Sequence, residues 1–461
     1  MKQLRTDIIP IRQEFVYRQG DADLHWEAIC FFVAVGFFPG TDTYYKYRQV
    51  LPPGSEIIIN QKGYIHESAP WFKWYYKPRN ISFAKALNEF TELFETIVAE
   101  QAKGHNVILP LSGGLDSRTQ AIALKKTGNP VHAYSYSYKG GYPEHKIAAK
   151  IAKACNFPFT TMTIPYGYLW DKIDTLAKLN QCYSDFTQPR QMAIVDQLKP
   201  LGNIFSLGHW GDVLFDNEGL QRISHDEQVK LLVKKLVKKG GAELAEAIWQ
   251  EKGLKGTFQQ YLDERVSAML DEIKIEEPNA RIRAFKSLYW APRWTSVNLA
   301  VFESVHPVRL PYYDARMCNF ICTVPEAYLA DRQLQKAYIK KQSPKLAAIT
   351  WQEIKPFNLN NAHLNKMPYN MPYRIISKLK REIQATSGSV FVERNWELQF
   401  MKPEQQQLLE TYLFSKEMKE MLPRELVSLF LNNFREKDRV YWSHPLGMLL
   451  TLSVFAKKFN I

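Results

Sequence analysis

The chain has 461 residues, of which 46% are hydrophobic and 23% are charged. This length allows two or three domains with ample core, and the composition is ordinary for a soluble globular protein rather than a disordered or fibrous one. An excess of 60 lysines and arginines over 47 aspartates and glutamates gives a formal net charge of +13. That charge favours an acidic partner or substrate, such as nucleic acid, anionic lipid or a polyanionic glycan.

The sequence gives no sign of a membrane span, a secretory signal or a zinc site. The apolar runs Ile29 to Phe38 and Leu446 to Phe455 reach about half of the roughly 20 residues that a membrane helix needs. Met1 to Gln19 mixes charged residues throughout and lacks the apolar stretch of a signal peptide. The five cysteines form no Cys-x-x-Cys pair, which favours buried, reduced thiols. We therefore expect a cytoplasmic protein without a transmembrane segment.

Taken in chain order, the predicted elements are those of an α/β fold. Arg48 to Glu67 contains Leu51-Pro-Pro-Gly54 and predicts a β-hairpin after a proline turn, and Phe83 to Lys103 has the apolar spacing of a helix. Strands and helices then alternate. The first predicted strand begins at Val107, and three more cover Val131 to Tyr138, Phe159 to Ile164 and Asn203 to Leu207. The predicted helices between them cover Thr119 to Lys126, Glu144 to Asn156 and Asp185 to Leu198. Such alternation predicts a doubly wound parallel sheet with helices on both faces and ligands at the carboxyl ends of its strands.

The remainder, residues 220 to 460, is predicted to be mostly helical, with breaks at its prolines. Two basic stretches, residues 229 to 239 and Arg374 to Arg381, combine lysines and arginines with helix-like apolar spacing. We interpret both as solvated helix faces. Nucleic acid is an unexpected partner, because basic and aromatic residues do not alternate as they do in nucleic-acid modules.

Residues 107 to 118, Val-Ile-Leu-Pro-Leu-Ser-Gly-Gly-Leu-Asp-Ser-Arg, predict a phosphate-binding loop between a strand and a helix. Gly113 and Gly114 allow main-chain N–H groups to approach an anion, and the helix N-terminus adds partial positive charge. Ser112 and Ser117 supply hydroxyl donors, and Asp116 supplies a carboxylate that can hold Mg²⁺ against phosphate oxygens. The alternative is a plain glycine turn. No Gly-Lys-Ser/Thr follows, so the loop is not a Walker motif.

A second glycine loop follows the strand that ends at Leu207. Gly208-His209-Trp210-Gly211-Asp212 frames an acid with two glycines at a strand's carboxyl end, as the first loop does. In a doubly wound sheet the two loops can converge on one ligand, so that Asp212 shares a Mg²⁺ ion with Asp116. The alternative is a glycine turn with a helix-capping aspartate.

These motifs together resemble the synthetase domain of the asparagine synthetase family, within the ATP pyrophosphatase superfamily. The first loop is similar to the pyrophosphate loop of that superfamily, and residues 208 to 215 are similar to the Gly-x-Gly-x-Asp-x-x-Phe signature that follows it. Further similar segments appear in the same order over roughly residues 28 to 360. They are Leu51-Pro-Pro-Gly54, Pro143-Glu144 with the helix after it, Val308 to Asp314, and Pro344 to Phe357 with Lys355-Pro356-Phe357.

The resemblance implies a role for each matching residue. Asp116 and Asp212 would hold Mg²⁺, while Ser112, Gly113, Gly114 and Ser117 would cradle the pyrophosphate of ATP. The backbone at the ends of the strands would hold AMP, at Leu111, Ser135, Leu207 and Gly208. Lys355 would stabilise the charge that builds on the α-phosphate and the leaving group; without the motif it would be an ordinary surface lysine.

The chain departs from the family pattern at several positions. The family's N-terminal cysteine, which hydrolyses glutamine, has no counterpart, because no cysteine precedes Cys30. His209 stands where relatives carry Glu or Tyr and is a candidate general base, or else a histidine packed beside Trp210. Pro307 replaces an acid, for which Glu303 or His306 could substitute. Arg118 replaces a small residue and would add positive charge beside the phosphates.

We therefore expect an amide ligase that activates a carboxylate as an acyl-adenylate and passes it to ammonia or an amine. Aspartate is the family's default substrate, and a uronic acid of a surface glycan, a peptide or a ring-closing amino acid are the specialised ones. The nitrogen would come directly or from a separate glutaminase. The expected domains are a glutaminase-like remnant (1–82), the synthetase domain (83–360) and a helical extension packed on it (361–461). Two alternatives remain, namely another pyrophosphatase-loop chemistry such as tRNA thiolation or GMP amination, and a non-catalytic nucleotide-binding relative.

Overall fold

The computed structural model describes residues 1–10, 15–17, 23–143, 145–386 and 391–459. Its first part confirms the predicted hairpin, because residues 55–59 and 65–70 pair as antiparallel strands. Residues 2–5 extend this sheet by pairing with the first hairpin strand, whereas residues 48–50 pair with residues 15–17 in a separate two-stranded sheet. The elements of this part are β1 (Lys2–Arg5), β2 (Phe15–Tyr17), α1 (Trp26–Val35), β3 (Arg48–Val50), β4 (Ser55–Ile59) and β5 (Ile65–Pro70).

The central sheet has five parallel strands in the order β10-β9-β6-β7-β8. They are β6 (Val107–Pro110), β7 (Val131–Tyr138), β8 (Phe159–Ile164), β9 (Ile204–Ser206) and β10 (Val308–Arg309). β6 comes first in sequence and lies in the middle, with β7 and β8 to one side and β9 and β10 to the other. The strand order therefore reverses between β6 and β9, and such a switch point opens a crevice at the carboxyl ends of the strands.

Helices cover both faces of this sheet, which confirms the predicted fold class. Alternate strand residues point to opposite faces: Ile108 and Phe205 belong to one apolar cluster, and Val107, Leu109 and Ile204 belong to another. The helices up to β10 are α2 (Phe83–Ala102), α3 (Leu115–Thr127), α4 (His145–Cys155), α5 (Tyr168–Asn180), α6 (Val195–Leu198), α7 (Gly211–Leu214), α8 (His225–Leu236), α9 (Gly241–Glu251), α10 (Phe258–Asp271), α11 (Pro278–Phe285) and α12 (Ser296–Glu303). Glu144, the expected first residue of α4, lies outside the described residues.

The mostly helical prediction for the rest of the chain is confirmed. After β10 come α13 (Ala315–Ile321), α14 (Glu326–Leu329), α15 (Gln333–Gln342), α16 (Pro344–Ala347), α17 (Met371–Thr386), α18 (Asn395–Phe400), α19 (Pro403–Leu413), α20 (Lys416–Met421), α21 (Arg424–Glu436) and α22 (Arg439–Phe459). A π-helical segment, Lys286–Thr295, joins α11 to α12 and contains Pro292.

The predicted helix Asp185 to Leu198 is wrong. The helix between β8 and β9 is α5, and the later segment holds only a 3₁₀ turn, Arg190–Ala193, and the single turn α6. The Asp185 side chain accepts hydrogen bonds from the Thr187 N–H at 2.7 Å and the Thr187 hydroxyl at 2.9 Å. This local turn competes with the helix, and Pro189 disfavours helical backbone in the residue before it.

The two longest apolar runs form buried helices that pack on each other. All of α1 from Ala28 to Val35 is buried, and His444 of α22 lies with Nε2 at 2.9 Å from the carbonyl oxygen of Val33. Nearby, the Phe455 ring stacks on Tyr44 with centroids 3.6 Å apart. Among the described residues, none of the helices has the length and apolar character required to cross a bilayer.

The two basic stretches behave differently. In α8, Val229, Leu232 and Leu236 are buried while the lysines lie on the outer face, as expected for a solvated helix face. In α17, the charged residue Arg374 is exposed, and so are the apolar side chains of Ile375, Ile376 and Leu379. Arg374 and Lys378 are thus solvated, as expected for this stretch, but the apolar residues beside them are exposed as well.

Candidate active site

The loop between β6 and α3 is held by hydrogen bonds between its own residues. The Ser112 N–H donates to Ser117 Oγ at 3.1 Å, and the Gly114 N–H donates to Ser112 Oγ at 3.2 Å. Gly114 precedes the first turn of α3, and no side chain caps that helix N-terminus. The free N–H groups of a helix start carry partial positive charge, which attracts anions. The local geometry therefore suits phosphate oxygens.

A segment more than 200 residues later in the chain lies directly on this loop. The Gly113 N–H donates to Gln352 Oε1 at 3.1 Å, and the Gln352 N–H donates back to the Gly113 carbonyl at 3.2 Å. A Cβ atom on Gly113 would lie 2.8 Å from Gln352 Cβ. The approach of these two backbones is thus possible only with glycine at position 113.

The second glycine loop packs against Asp116. A Cβ atom on Gly208 would lie 3.2 Å from Asp116 Cβ, and one on Gly211 would lie 2.4 Å from Asp116 Oδ1. Both glycines therefore allow the β9 loop to approach the first turn of α3. The structure brings the two loops together at the switch point between β6 and β9, where a doubly wound sheet binds its ligand.

Asp116 is braced from three directions. Its Oδ1 accepts hydrogen bonds from Arg332 Nη2 and, at 2.9 Å, from Gln335 Nε2, and its carbonyl oxygen accepts one from the Tyr312 hydroxyl at 3.1 Å. Burial raises the pKa of Asp116 to about 6 and the negative charge of Asp212 adds to the rise, whereas Arg332 and Gln335 act to lower it. The carboxylate is thus held in a fixed position with a pKa close to neutrality.

Asp212 lies on the short helix α7 with an exposed side chain, near enough to Asp116 for their charges to interact. Mg²⁺ in nucleotide sites is usually held by one or two carboxylates together with phosphate oxygens. Asp116 Oδ2 accepts no hydrogen bond from the described part of the chain, so it can coordinate a cation together with Asp212. Nowhere in the described ranges do three or more His, Cys, Asp or Glu residues gather as a metal site. The donor set therefore fits a cation that the phosphates help to hold.

His209 lies beside this crevice as a neutral imidazole. Burial lowers its pKa to about 4, with a smaller contribution from the positive charge of Arg190. Its Nδ1 atom is buried without a hydrogen-bond partner in the described residues, and its ring meets the Phe302 ring edge-on with centroids 6.3 Å apart. At neutral pH the ring is therefore uncharged, with one nitrogen that carries a proton and one that can accept a proton.

Arg190 is a cation that the sequence analysis did not single out. Its Nε donates to the Tyr136 hydroxyl, and its guanidinium carbon lies 5.5 Å from the centre of the Tyr136 ring. Within the described ranges, neither Nη1 nor Nη2 is bonded to an acceptor, and no carboxylate pairs with this residue. The extended end of β7 supplies Tyr136 and Tyr138, which line a cavity of about 310 Å³ together with Tyr142 and Val392. Arg190 is thus a cation without a paired carboxylate in the described residues, close enough to His209 to lower its pKa and in contact with Tyr136 of the cavity wall.

The strand ends expected to hold AMP flank the same crevice. The N–H groups of Leu111 and Leu207 are used within the sheet, where they donate to the carbonyl oxygens of Tyr134 at 2.8 Å and Arg309 at 3.0 Å. Ser135 lies on the part of β7 that runs beyond the end of β6 and pairs with Thr161 of β8. At Leu111 and Leu207, the carbonyl oxygens rather than the N–H groups are therefore the backbone atoms that could contact a nucleotide.

Lys355 follows the 3₁₀ turn Gln352–Ile354, and its side chain is half-buried. The turn is closed by hydrogen bonds from the Phe357 N–H to the Ile354 carbonyl at 2.9 Å and from the Trp351 N–H to the Phe357 carbonyl at 2.9 Å. Because Gln352 is bonded to Gly113, the backbone of this lysine is fixed relative to the glycine loop.

Two residues that were considered for their charge, Arg118 and His306, are bonded to backbone carbonyl oxygens. Arg118 is fully buried and donates to the carbonyl oxygens of Leu346 at 3.0 Å, Ile349 at 2.9 Å, Thr350 at 2.9 Å and Gly113 at 3.2 Å, so it braces the loop from below and does not face the phosphates. His306 bonds the Lys199 carbonyl at 2.8 Å and precedes β10, which puts it at the amino end of the sheet.

The cysteines have no visible part in the site. Cys30, Cys155, Cys182, Cys318 and Cys322 are all buried and reduced. Burial raises the pKa of each thiol, so all five are protonated at neutral pH.

Sequence reasoning missed four residues that shape the site, namely Arg190, Arg332, Gln335 and Gln352. Gln335 offered one signal, because a polar residue lies among apolar ones at helical spacing, with Leu334, Tyr338 and Ile339 also buried in α15. Arg332 gave none, since its position depends on left-handed backbone at Asp331 (φ 54°) and at Arg332 itself (φ 59°).

The fold and this site define a class, the α/β proteins that bind a nucleotide with a glycine loop at a topological switch point. The asparagine synthase family model matches residues 89–347, more than half of the chain, and the chain belongs to this family of ATP-dependent amide ligases. Among solved structures, an NMN synthetase from Francisella tularensis is similar at 15% identity and a TM-score of 0.23, over 46% of this chain and 94% of its own. A search of curated protein sequences finds no match.

Proposed function

We propose that this protein is an AMP- and pyrophosphate-forming amide ligase that activates a carboxylate as an acyl-adenylate. The observation that carries the proposal is the packing of the second glycine loop on Asp116 of the first, with Gly211 against its carboxylate. Family membership supports the ligase class. The choice of substrate rests on the residues around the crevice.

In the first step, a carboxylate oxygen of the substrate bonds to the α-phosphorus of ATP, and the bond from that phosphorus to the α–β bridging oxygen breaks. Pyrophosphate leaves with the electron pair. Ser112, Gly113, Gly114 and Ser117 bind its oxygens, and Lys355 offsets the charge on the α-phosphate and leaving group. Asp116 and Asp212 would hold Mg²⁺, which when bound neutralises the negative charge of pyrophosphate.

In the second step, the lone pair of ammonia or an amine attacks the acyl carbon, and the carbon–oxygen bond to AMP breaks. The nitrogen gives up a proton, for which the neutral imidazole of His209 is the nearby acceptor that we propose. Its pKa of about 4 keeps it unprotonated throughout the neutral range. A base of low pKa removes a proton only as the bond to carbon forms, which suits general-base catalysis.

The acyl substrate is proposed to carry a second negative charge. Arg190 supports this choice, because two nitrogens of its guanidinium have no acceptor within the described residues, and it contacts Tyr136 of the cavity wall and acts electrostatically on His209. Aspartate meets this requirement, and so do acidic peptides and glycans with more than one uronic acid. Ammonia or an amine, free or supplied by a separate glutaminase, is the proposed nitrogen donor.

Exchange of labelled pyrophosphate into ATP, driven by a panel of carboxylates, tests the proposal. We expect exchange with at least one carboxylate, and a loss of more than about 100-fold in the Asp116→Asn and Asp212→Asn variants. Mg-ATP binding without exchange on any carboxylate would instead indicate a non-catalytic relative. Exchange that survives both substitutions would contradict the assigned metal ligands.

A further inference from the structure

Helix α17 exposes apolar side chains that a helix in a soluble protein normally buries. Tyr373 is 37% exposed, Ile375 52%, Ile376 51% and Leu379 51%. Residues 375 and 379 are one turn apart, and 376 is adjacent to both, so the three aliphatic side chains form one continuous stripe. Just before the helix, Met367 and Tyr369 are 67% and 57% exposed and extend this apolar surface.

This concentration is unlike the rest of the described surface. Leu408 on α19 and Leu429 on α21 are 42% and 53% exposed, but each is a single residue on a helix whose other apolar side chains are buried. Scattered exposed leucines are normal, whereas a contiguous apolar stripe marks an interaction surface. A helix of 16 residues is only marginally stable in water without packing. We therefore expect the apolar stripe on α17 to bind another molecule or surface.

The charges on α17 narrow the choice of partner. Its sequence contains Arg374, Lys378, Lys380 and Arg381 against a single acidic residue, Glu382. Arg374 and Lys378 are exposed, and the Lys378 Nζ lies 3.8 Å from Glu382 Oε1. A second copy of this helix would bring the same positive charges together. An anionic membrane surface would attract them.

We propose that α17 binds the surface of an anionic phospholipid bilayer, with Ile375, Ile376 and Leu379 in the acyl region and Arg374 and Lys378 among the headgroups. Basic residues beside an apolar stripe are typical of helices that lie in the membrane interface. The chain is well anchored on both sides of the helix. Asn370 is buried, and the Val392 N–H donates to the Gly140 carbonyl at 3.0 Å, next to the carboxyl end of β7.

Sedimentation of the full chain with vesicles tests the proposal. We expect binding to vesicles of phosphatidylcholine mixed with phosphatidylglycerol, at least about tenfold weaker binding to phosphatidylcholine alone, and loss of binding at high salt. Equal binding to both vesicle types, or none to either, would overturn the proposal.

Substitutions locate the surface. The pair Ile375→Ser and Leu379→Ser should weaken vesicle binding by about tenfold or more, whereas the matched pair Leu408→Ser and Leu429→Ser should not. Lys378→Glu should weaken it by about fivefold or more, and Lys416→Glu, on another exposed helix, should have little effect. Analytical ultracentrifugation of the same proteins adds an independent outcome. A dimer that the Ile375/Leu379 pair dissociates, in a protein that ignores vesicles, would assign the stripe to a second copy of the chain and overturn the proposal.

Discussion

Gly113 and Gln352 exchange two hydrogen bonds, one in each direction between the first glycine loop and the segment that leads to Lys355. Nothing in the local sequence of either residue requires the other. Their contact makes the loop and the lysine segment one unit, so a change in one is expected to reach the other.

The Gly113→Ala variant should lose most of its adenylate formation. The new Cβ would lie 2.8 Å from Gln352 Cβ and 3.1 Å from Ile147 Cγ2, so the backbones must separate. A displacement of about 1 Å at a reacting centre can cost about 100-fold in rate, and we expect a loss of that order in ATP–pyrophosphate exchange. Gly219→Ala is the control: its φ is +66° with no atom within 4 Å, so it should cost about 1 kcal/mol of stability and leave the exchange rate intact.

The activity should fall as the pH drops through about 6. Burial raises the pKa of Asp116 to about 6, so the carboxylate is charged above this pH and protonated, unable to hold a cation, below it. Replacing Arg332 with Met removes a positive charge that lowers this pKa, and the acid limb of kcat/KM should move upward by about one pH unit or more. Arg79→Met, which breaks the 2.6 Å ion pair with Glu89 far from the loop, should leave the limb in place. If the acid limb of kcat/KM stays at the same pH in Arg332→Met, a group other than Asp116 determines that limb.

His209→Asn should separate the two half-reactions. Because pyrophosphate exchange precedes nitrogen attack, exchange should remain within about threefold of the wild-type rate, while amide formation should fall by about 100-fold or more. If His209 is a general base with a pKa near 4, the plot of kcat against pH for the wild type should show no separate decrease around pH 6.5. Equal losses in both half-reactions would indicate that the ring positions the substrate rather than accepting its proton.

Arg190→Gln should weaken binding of acidic acyl substrates. If the guanidinium pairs with a second negative charge, KM for a dicarboxylate should rise by about tenfold or more while KM for ATP is unchanged. Tyr136→Phe, which removes the hydroxyl that orients the guanidinium, should give a smaller rise. Arg222→Gln, at an exposed position, serves as the control. A monocarboxylate of the same length should be unaffected by Arg190→Gln, and an equal effect on both acids would contradict the assignment.

Arg118→Ala should destabilise the fold rather than act on the chemistry directly. The four carbonyl oxygens that Arg118 bonds would lose their donor, and at roughly 1–3 kcal/mol for each buried polar group left unpaired the free energy of unfolding should fall by at least about 3 kcal/mol. Arg118→Lys should not restore the stability, because a single ammonium group cannot replace the planar set of donors of the guanidinium. Lys126→Ala, on the exposed face of the same helix, should change stability by less than about 1 kcal/mol in urea unfolding.

The sequence predicts those parts of the structure that depend on residues close together in the chain, and it does not predict contacts between distant segments. β7 and β8 match their predicted bounds because each is a run of strand-forming residues between turns, and the two glycine loops are local motifs at strand ends. The helix predicted after β8 is wrong because the Asp185 side chain accepts a hydrogen bond from the Thr187 N–H and forms a local turn instead. The partners of the glycine loops, Arg332, Gln335 and Gln352, could not be predicted. Their contacts join segments about 220 to 240 residues apart and depend on tertiary packing.

The distance along the chain between Asp116 and its braces has a consequence during synthesis. A ribosome releases Ser112 to Ser117 long before it releases Arg332, Gln335 and Gln352, which bond Asp116 and Gly113 in the finished fold. Until those downstream residues emerge, the nascent chain carries the glycine loop without the contacts that orient it. Because Lys355 comes later still, the glycine loop and the lysine segment can form one unit only after more than three quarters of the chain has been made.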